Sequence, residues 1–294
     1  MNIWIILSNA LYSSYNETSK QEKDIKQVKE KHGFNLLFMN KNFFEIRLIR
    51  NKTKLFYKDC EILNLPDLVI FRTKATAIKM FLKINNIEYI NPMESSQITS
   101  DKALTHVALS QIGINMPKTI ISYSELTENN DFNKTKEILG ENFILKANDG
   151  YGGENVHLIK DEKEFNDMAK KYEYNCIFQE NITSSYGKDI RVIIIGKKHV
   201  MAIKRENEKD FRSNLHLGGT ATLFECSEDL KHVAIKIANH LNLDICGIDF
   251  LIGENDEYYV AEVNSSPGLP MSILSLSYSL LIDLLVSGNS INKM

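Results

Sequence analysis

Cysteine is scarce in this 294-residue chain: four copies, Cys60, Cys176, Cys226 and Cys246, lie far apart. Their scatter excludes both a cysteine metal site and a disulfide framework, so a reducing cytoplasm is the expected compartment. Charge of one sign is lacking too. Lys+Arg 35 against Asp+Glu 38 leaves a formal net charge of -3, which offers no overall basic field to nucleic acid or to an anionic membrane surface. Neither is expected as a partner, and any anion has to be held locally. Long hydrophobic runs are missing as well. The longest apolar stretch, Met271 to Val286, is broken by Ser272, Ser275, Ser277, Ser279 and Asp283, which suits a terminal helix packed on the core and excludes a membrane span. The apolar start, Ile3 to Leu7, has no basic region ahead of it and no small-residue cleavage site after it, so it reads as a buried strand and not as a signal peptide.

Several catalytic signatures are also absent. The seven histidines include no HExxH or other zinc spacing, and only His216 falls inside a motif, so the others read as surface or core fillers. There is no GxSxG elbow and no GxxxxGK[ST] loop.

What is present is a long alternation of short apolar runs with polar helical stretches. Ile3 to Leu7, Asn35 to Phe38 and Leu68 to Phe71 read as strands of parallel α/β units, a Rossmann-like entry domain. A helix is expected from about Asp101 to Gln111. From Phe143 onward the pattern turns to antiparallel strand pairs: Phe143 to Lys146, Val156 to Ile159, Ile177 to Glu180, Ile190 to Ile195 and Val200 to Lys204. Helices are expected after Asp161, where Glu164 completes a capping-box pattern, and after Ser227 as far as Leu241. The chain has no internal repeat, and its longest polar linker is Thr127 to Asn133.

The segment from Gly247 to Gly268 carries the most chemistry. If Asn255-Asp256 is a two-residue hairpin loop, counting back along both strands sets Asp249 opposite Glu262. Asn264 then shares a face with Glu262, and Tyr259, Ala261 and Val263 fall on the reverse face. Two carboxylates and an amide oxygen on one patch fit Mg²⁺, which takes hard oxygen ligands and shares them with phosphates. The alternative is a solvated hairpin, against which the repulsion of two facing acids counts.

Three further segments are each ambiguous alone. Lys146-Ala-Asn-Asp-Gly-Tyr-Gly-Gly153 is a strand ending in a cation and then a glycine-rich loop able to close on phosphate, or else an ordinary tight turn. Phe178-Gln179-Glu180-Asn181-Ile182 could read an adenine edge with its backbone, or be a plain edge strand. Lys204-Arg205 and Asp210-Phe-Arg-Ser-Asn-Leu-His-Leu-Gly-Gly219 concentrate donors suited to phosphoryl oxygens, or form a solvated basic loop.

Taken in order, the segments Asp101-Lys102, Lys146 with its glycine loop, Gln179-Glu180, Asp189-Ile-Arg191, Asp210 to His216 with Gly218-Gly219, Gly247-x-Asp249 and Glu262-Val-Asn-x-Ser-Pro-Gly268 resemble the ATP-grasp superfamily and, within it, the RimK-like glutamate ligases. The resemblance covers about Leu68 to Leu269. It implies an α/β (α+β ATP-grasp) fold: a Rossmann-like domain at 1–98, then two α+β sub-domains, 99–178 and 179–294, that clasp ATP between antiparallel sheets. It implies that Lys102, Lys146, Gly152 and Gly153 meet the phosphates, that Gln179, Glu180, Asn181 and Ile182 hold the adenine, and that Asp189 lies near the ribose. Asp249, Glu262 and Asn264 would hold magnesium, with manganese as a substitute. Arg205, Arg212, Ser213 and Asn214 would face the γ-phosphate, with Arg205, Arg212 and Asn214 as the catalytic set. Arg72, after an apolar strand, is expected to bind a substrate carboxylate, with a surface arginine as the alternative.

The activity implied is ATP-dependent coupling of a carboxylate to an amine through an acyl phosphate, adding an amino acid such as glutamate to a peptide, carrier protein or small carboxylate. Lysine-biosynthesis LysX proteins are near relatives of that pattern, and an ATP-binding regulatory module of the same fold is the alternative function. A homo-oligomer is the statistical default. Two departures bear on the acceptor: Leu217 stands where the RimK pattern usually carries Arg, and the loop reads Asn-Asp-Gly-Tyr-Gly-Gly in place of a Glu-Gly type. The Gly150 to Gly153 loop is expected to become ordered on nucleotide.

Overall fold

A computed structural model of the chain describes residues 1–16, 20–122, 131–150, 152–268 and 278–288. Strand β1 (Asn2–Leu7) is followed by α1 (Asn9–Asn16), α2 (Lys20–His32) and β2 (Asn35–Asn40), which lies parallel to β1. A ribbon of β3 (Phe44–Ile49), β4 (Lys52–Tyr57) and β5 (Cys60–Glu61) comes next, then β6 (Leu68–Arg72), α3 (Thr76–Ile84) and β7 (Glu88–Ile90). The parallel sheet has the order β2-β1-β6-β7, and the ribbon is a separate antiparallel sheet. The three expected strands are there, whereas the ribbon was not foreseen. Its β3–β4 turn uses Arg50 and Asn51 at φ 46 and 63 with no glycine, so the usual hairpin signal is missing.

Helices α4 (Met93–Ile98) and α5 (Lys102–Ser110) lead to a second sheet. It is built from β8 (Thr119–Ile121), β9 (Phe143–Ala147), β10 (Val156–Ile159) and β11 (Cys176–Glu180), with α6 (Asp131–Leu139) and α7 (Glu162–Lys171) set among them. The order is β10-β9-β11-β8, antiparallel throughout. Of the polar linker Thr127 to Asn133, residues 127–130 lie outside the described residues and the remainder opens α6. The third sheet, order β14-β13-β12-β15-β16, holds β12 (Lys188–Ile195), β13 (His199–Glu206), β14 (Thr220–Leu223), β15 (Ile245–Ile252) and β16 (Tyr258–Asn264). Helix α8 (Glu228–His240) precedes β15, and α9 (Tyr278–Ser287) is the described part of the expected terminal helix, residues 269–277 lying outside it.

Side chains cap the helices where the sequence asks for caps. Asp101 accepts from Leu104 N (2.9 Å), Asp161 from Glu164 N (2.8 Å) and Ser227 from Leu230 N (3.3 Å). Glu164 reaches back as a capping box does, but to the N–H of Lys160, one residue ahead of the cap.

Alternation along β12 divides the molecule. Ile190, Val192 and Ile194 pack on α8 and the end of α5, whereas Ile193 and Ile195 pack with α9 against β1, β2 and β6. The first sheet therefore shares a core with the third. No helix among the described residues is long and apolar enough to cross a membrane.

One buried amide ties those two sheets together. Asn91, just after β7, donates to the carbonyls of Ile245 and Ser265, both at 2.7 Å, and accepts from the N–H groups of Asp244 (2.8 Å) and Ile245 (3.0 Å). Buried Lys79 donates to the Asn91 carbonyl at 2.8 Å. All four hydrogen-bonding positions of the Asn91 side chain are thus used on the start of β15 and the turn after β16. Asn91→Ala leaves those backbone groups unpaired, and a loss of roughly 3 kcal/mol is expected from the cost of buried unsatisfied groups, measured by urea unfolding.

Candidate active site

A row of charged side chains crosses the third sheet. Arg205 on β13 lies opposite Asp189 on β12, Arg191 on β12 lies opposite Asp249 on β15, and Asp249 lies opposite Glu262 on β16. Asp249 and Glu262 thus face each other as expected, but by a different route. The turn spans Glu254–Asp256, with Asn255 at φ 57, and Gly253 N–H donates to the Glu257 carbonyl at 2.7 Å. That sets Ile252 against Tyr258, one residue away from the two-residue hairpin, and a bulge between Asp249 and Phe250 restores the register. The bulge also corrects the faces. Val260 and Val263 enter the core, while Ala261 joins Glu262 on the cleft side and Tyr259, opposite Leu251, turns away from the core.

The facing acids are not left to repel each other. Arg191 grips Asp249 with Nε to Oδ1 and Nη2 to Oδ2, both at 2.7 Å. Arg205 adds Nη2 to Asp249 Oδ2 at 2.9 Å, while holding Asp189 through Nε to Oδ1 (2.7 Å) and Nη2 to Oδ2. Burial would push the Asp249 carboxyl up, but the two guanidinium groups outweigh it and hold it below the usual carboxylate range. Burial likewise disfavours charge on Arg205, and Asp249 and Asp189 more than restore it. For Asp189 burial prevails over Arg205 and raises its pKa.

The second sheet faces this row across a cleft. Lys146 of β9 points into it, where burial and, to a lesser degree, Lys102 bring its pKa down to about 8 against the pull of Glu262 and Asp249. Lys102, in the first turn of α5, has Nζ 4.0 Å from Glu262 Oε1. Gly153, in the glycine loop after β9, lines the cleft. Arg212 Nη1 donates to the Gly153 carbonyl at 2.8 Å, and a Cβ at Gly153, which sits at φ 80, would collide with Asn214 Oδ1. Gly152 is also at positive φ, and Tyr151 lies outside the described residues. Asp210 holds Arg212 through Nε to Oδ1 (2.9 Å) and Nη2 to Oδ2 (2.7 Å).

A family model described as the RimK-like ATP-grasp domain matches residues 99–285. The chain belongs to the RimK-like ATP-grasp family. It is 31% identical over 266 residues to a probable alpha-L-glutamate ligase of Vibrio atlanticus, covering 87% of each chain. It is 26% identical over 288 residues to an uncharacterised protein of Mycoplasma genitalium, covering 95% of this chain and 97% of the other. The fold matches that of D-alanine–D-alanine ligase from Bacillus anthracis complexed with ATP, with TM-score 0.67, 19% identity and coverage of 100% and 99%. It also matches the ATP-grasp ligase PsnB complexed with a precursor variant, Mg and ADP, with TM-score 0.66, 15% identity and 98% of each chain covered.

Seen as an ATP-grasp fold, the cleft between the second and third sheets gathers every residue given a ligand-binding or catalytic role from sequence except Gly152, Asn264 and Arg72. Asn264 ends β16, opposite Gly247 and two residues beyond Glu262 on the same face. Arg72 is neither in the cleft nor on the surface. It is buried at the end of β6, donating Nη2 to the Pro267 carbonyl at 2.9 Å, and its buried Nε has no hydrogen-bond partner among the described residues. Asp189, expected beside a ribose, spends both carboxylate oxygens on Arg205. Gln179 lines the cleft, but its side-chain amide turns inward to His106 and Thr119. Leu217 lies in a short turn, its carbonyl accepting from Asn207, away from the cleft lining.

The residues that sequence reasoning left without a role are the holders: Arg191, Asp210 and His106. Arg191 stood inside a quoted motif, and its cross-strand position beside Asp249 was the signal available.

The donor set around Asp249 suits a hard divalent cation. Oδ1 accepts one hydrogen bond and Oδ2 two, so a lone pair of Oδ1 remains available. Among the described residues no cluster of three or more His, Cys, Asp or Glu forms. Asp249, Glu262 and Asn264 are the residues that would hold such a cation, which would compensate the charge of a bound phosphate chain.

Asp189→Asn removes one acid from this buried row and leaves Arg205 undercompensated. Breaking a buried pair costs about 3–5 kcal/mol, and thermal unfolding of the variant is expected to show a loss of that order.

Proposed function

We propose that this protein is an ATP- and magnesium-dependent carboxylate–amine ligase. The observation that carries the reading is the set of opposed charges in one cleft, Lys102 and Lys146 on one wall and Asp249, Glu262, Arg205 and Arg212 on the other. A carboxylate does not react with an amine at neutral pH. Transfer of the γ-phosphoryl group to it gives an acyl phosphate, and attack by the amine then releases phosphate as the amide forms.

Each residue has a part in that scheme. Ile144 and Val156 on one wall, with Leu251 and Ala261 on the other, flank a flat base whose edge meets the backbone of Gln179 to Ile182. Lys102, Lys146, Gly152 and Gly153 hold the phosphate chain. Arg205, Arg212, Ser213 and Asn214 aim donors at the transferring phosphoryl group, and because Asp189 and Asp210 already fix the two arginines, little reorganisation is left for the reaction. Magnesium held by Asp249, Glu262 and Asn264 supplies charge compensation for the phosphates.

The acid to be activated is assigned to the side of Arg72. In the order β2-β1-β6-β7 the connection leaving β1 runs to one side and that leaving β6 to the other, and Arg72 stands at the carboxyl end of β6, beside that switch point where open α/β sheets take ligands. Its unpartnered Nε is an available donor for a substrate carboxylate. An amino acid is the substrate proposed, glutamate first, since relatives such as the Vibrio atlanticus protein are named probable alpha-L-glutamate ligases. A peptide, a carrier protein or a small carboxylate would be its partner in the amide bond.

Two outcomes are expected. Magnesium-dependent ADP release with a panel of acids and amines, the product read by mass spectrometry, will require both substrates and fall at least 100-fold in Glu262→Gln, the order seen when a group stabilising transition-state charge is lost. ATP binding with no turnover on any pair would instead favour a regulatory module.

The second concerns pH. Lys146 has a folded pKa of about 8, below its ordinary value, and a bound phosphate chain favours its charged form. Nucleotide affinity is therefore expected to fall as pH rises through about 8, with proton uptake on binding above that pH. Calorimetry in two buffers of different ionisation enthalpy measures the uptake, which Lys146→Met abolishes.

A further inference from the structure

His106 is one of the histidines whose sequence context suggests a filler, and its surroundings say otherwise. It lies on α5 one turn after Lys102, is 4% exposed, and uses both ring nitrogens. Nδ1 is 2.8 Å from the Lys102 carbonyl, which can only accept, so Nδ1 carries the proton. Nε2 is then an acceptor, and the Gln179 side-chain amide donates to it at 2.7 Å. The second amide hydrogen of Gln179 goes to Thr119 Oγ1 at 3.0 Å, on the neighbouring strand β8. The same α5 terminus is anchored below by Lys102 N–H donating to the Asn148 carbonyl at 3.0 Å.

On the ATP-binding reading of the cleft, the two groups bridged belong to its phosphate end and its base end. Lys102 presents its ammonium beside Glu262, at the phosphate end, and Gln179 begins the Gln179 to Ile182 edge. We propose that His106 is a positioning residue that sets the separation of the phosphate and base ends of the nucleotide site, by locking the first turn of α5 to β11 through Gln179. The inference rests on the ATP-binding reading of this cleft.

Neutrality is part of the lock, because an imidazolium has no lone pair for Gln179. Burial, with Lys146 and Lys102 close by, brings the His106 pKa down to about 4. A hydrophobic residue of similar bulk would fill the same space and leave one N–H of Gln179 without an acceptor.

The test compares binding of Mg-ADP, which needs both ends, with binding of Mg-pyrophosphate, which needs only one. Calorimetry and thermal melting are run on wild type, His106→Leu, His106→Gln, Gln179→Leu and the His106→Leu/Gln179→Leu pair. Expected is about a tenfold loss of ADP affinity in His106→Leu, with pyrophosphate affinity unchanged within twofold. His106→Gln, which restores an acceptor, should recover ADP affinity to within about threefold. In the Gln179→Leu background, where both polar partners are gone and folding is easier, His106→Leu should change ADP affinity less than twofold.

Equal ADP affinity in His106→Leu and wild type, whatever the melting temperature, overturns the proposal, as does an equal loss of pyrophosphate. If His106→Leu does not fold, the comparison of the pair with Gln179→Leu decides it: a further tenfold loss overturns the proposal. Wild type that binds no adenine nucleotide refutes the reading of the cleft itself, a distinct result.

Discussion

The site depends on burying arginines and acids together so that each of them is paired. A cleft that receives a triphosphate needs fixed cations, and a fixed cation in a low-dielectric cleft is costly unless an acid is beside it. This protein meets the requirement with a sheet. Three hydrogen-bonded neighbours, β13, β12 and β15, alternate Arg205, Asp189, Arg191 and Asp249 at cross-strand positions, and Glu262 ends the row on β16. Because the backbone ladder sets the spacing, the charge pattern is as rigid as the sheet that carries it. Lys146 lies opposite without an ion-pair partner among the described residues, and burial, with a smaller part from Lys102, lowers its pKa against the pull of Glu262 and Asp249.

The same sheet also joins the parts of the molecule. Odd-numbered positions of β12 hold charge at the cleft end and isoleucine at the other, so one strand serves the site and the core shared with the first sheet. Asn91 and Arg72, both from the first part of the chain, reach the turn that follows Asn264, through Ser265 and Pro267. Pro267 in turn packs over Gly247, where an added Cβ would come within 2.7 Å of it. The strand that carries Glu262 is thereby held at its far end by residues from the part of the chain that forms the first sheet.

Much of this was legible beforehand. Three of the four strands of the first sheet, the caps at Asp161 and Ser227, and the facing of Asp249 and Glu262 followed from alternation and turn chemistry. The last of these shows how a correct pairing can rest on two errors that cancel: a three-residue turn in place of two, and a bulge that adds the residue back. The β3–β4 ribbon was hidden because its charged, glycine-free turn looks like polar helix. His106 was passed over because a single histidine on a helix has no pattern, and only its distance to Gln179 gives it a role.

The sequence by itself determined the class of fold, the family and the residue types gathered in the cleft, because each follows from local periodicity or from motifs whose order survives without coordinates. Only the tertiary structure decided how those residues are shared out: Asp189 committed to Arg205, Asp249 gripped by two arginines, and Arg72 buried behind the cleft. Those pairings join residues on different strands and different sheets. Their geometry depends on register, bulges and burial, none of which is carried by any one segment of chain.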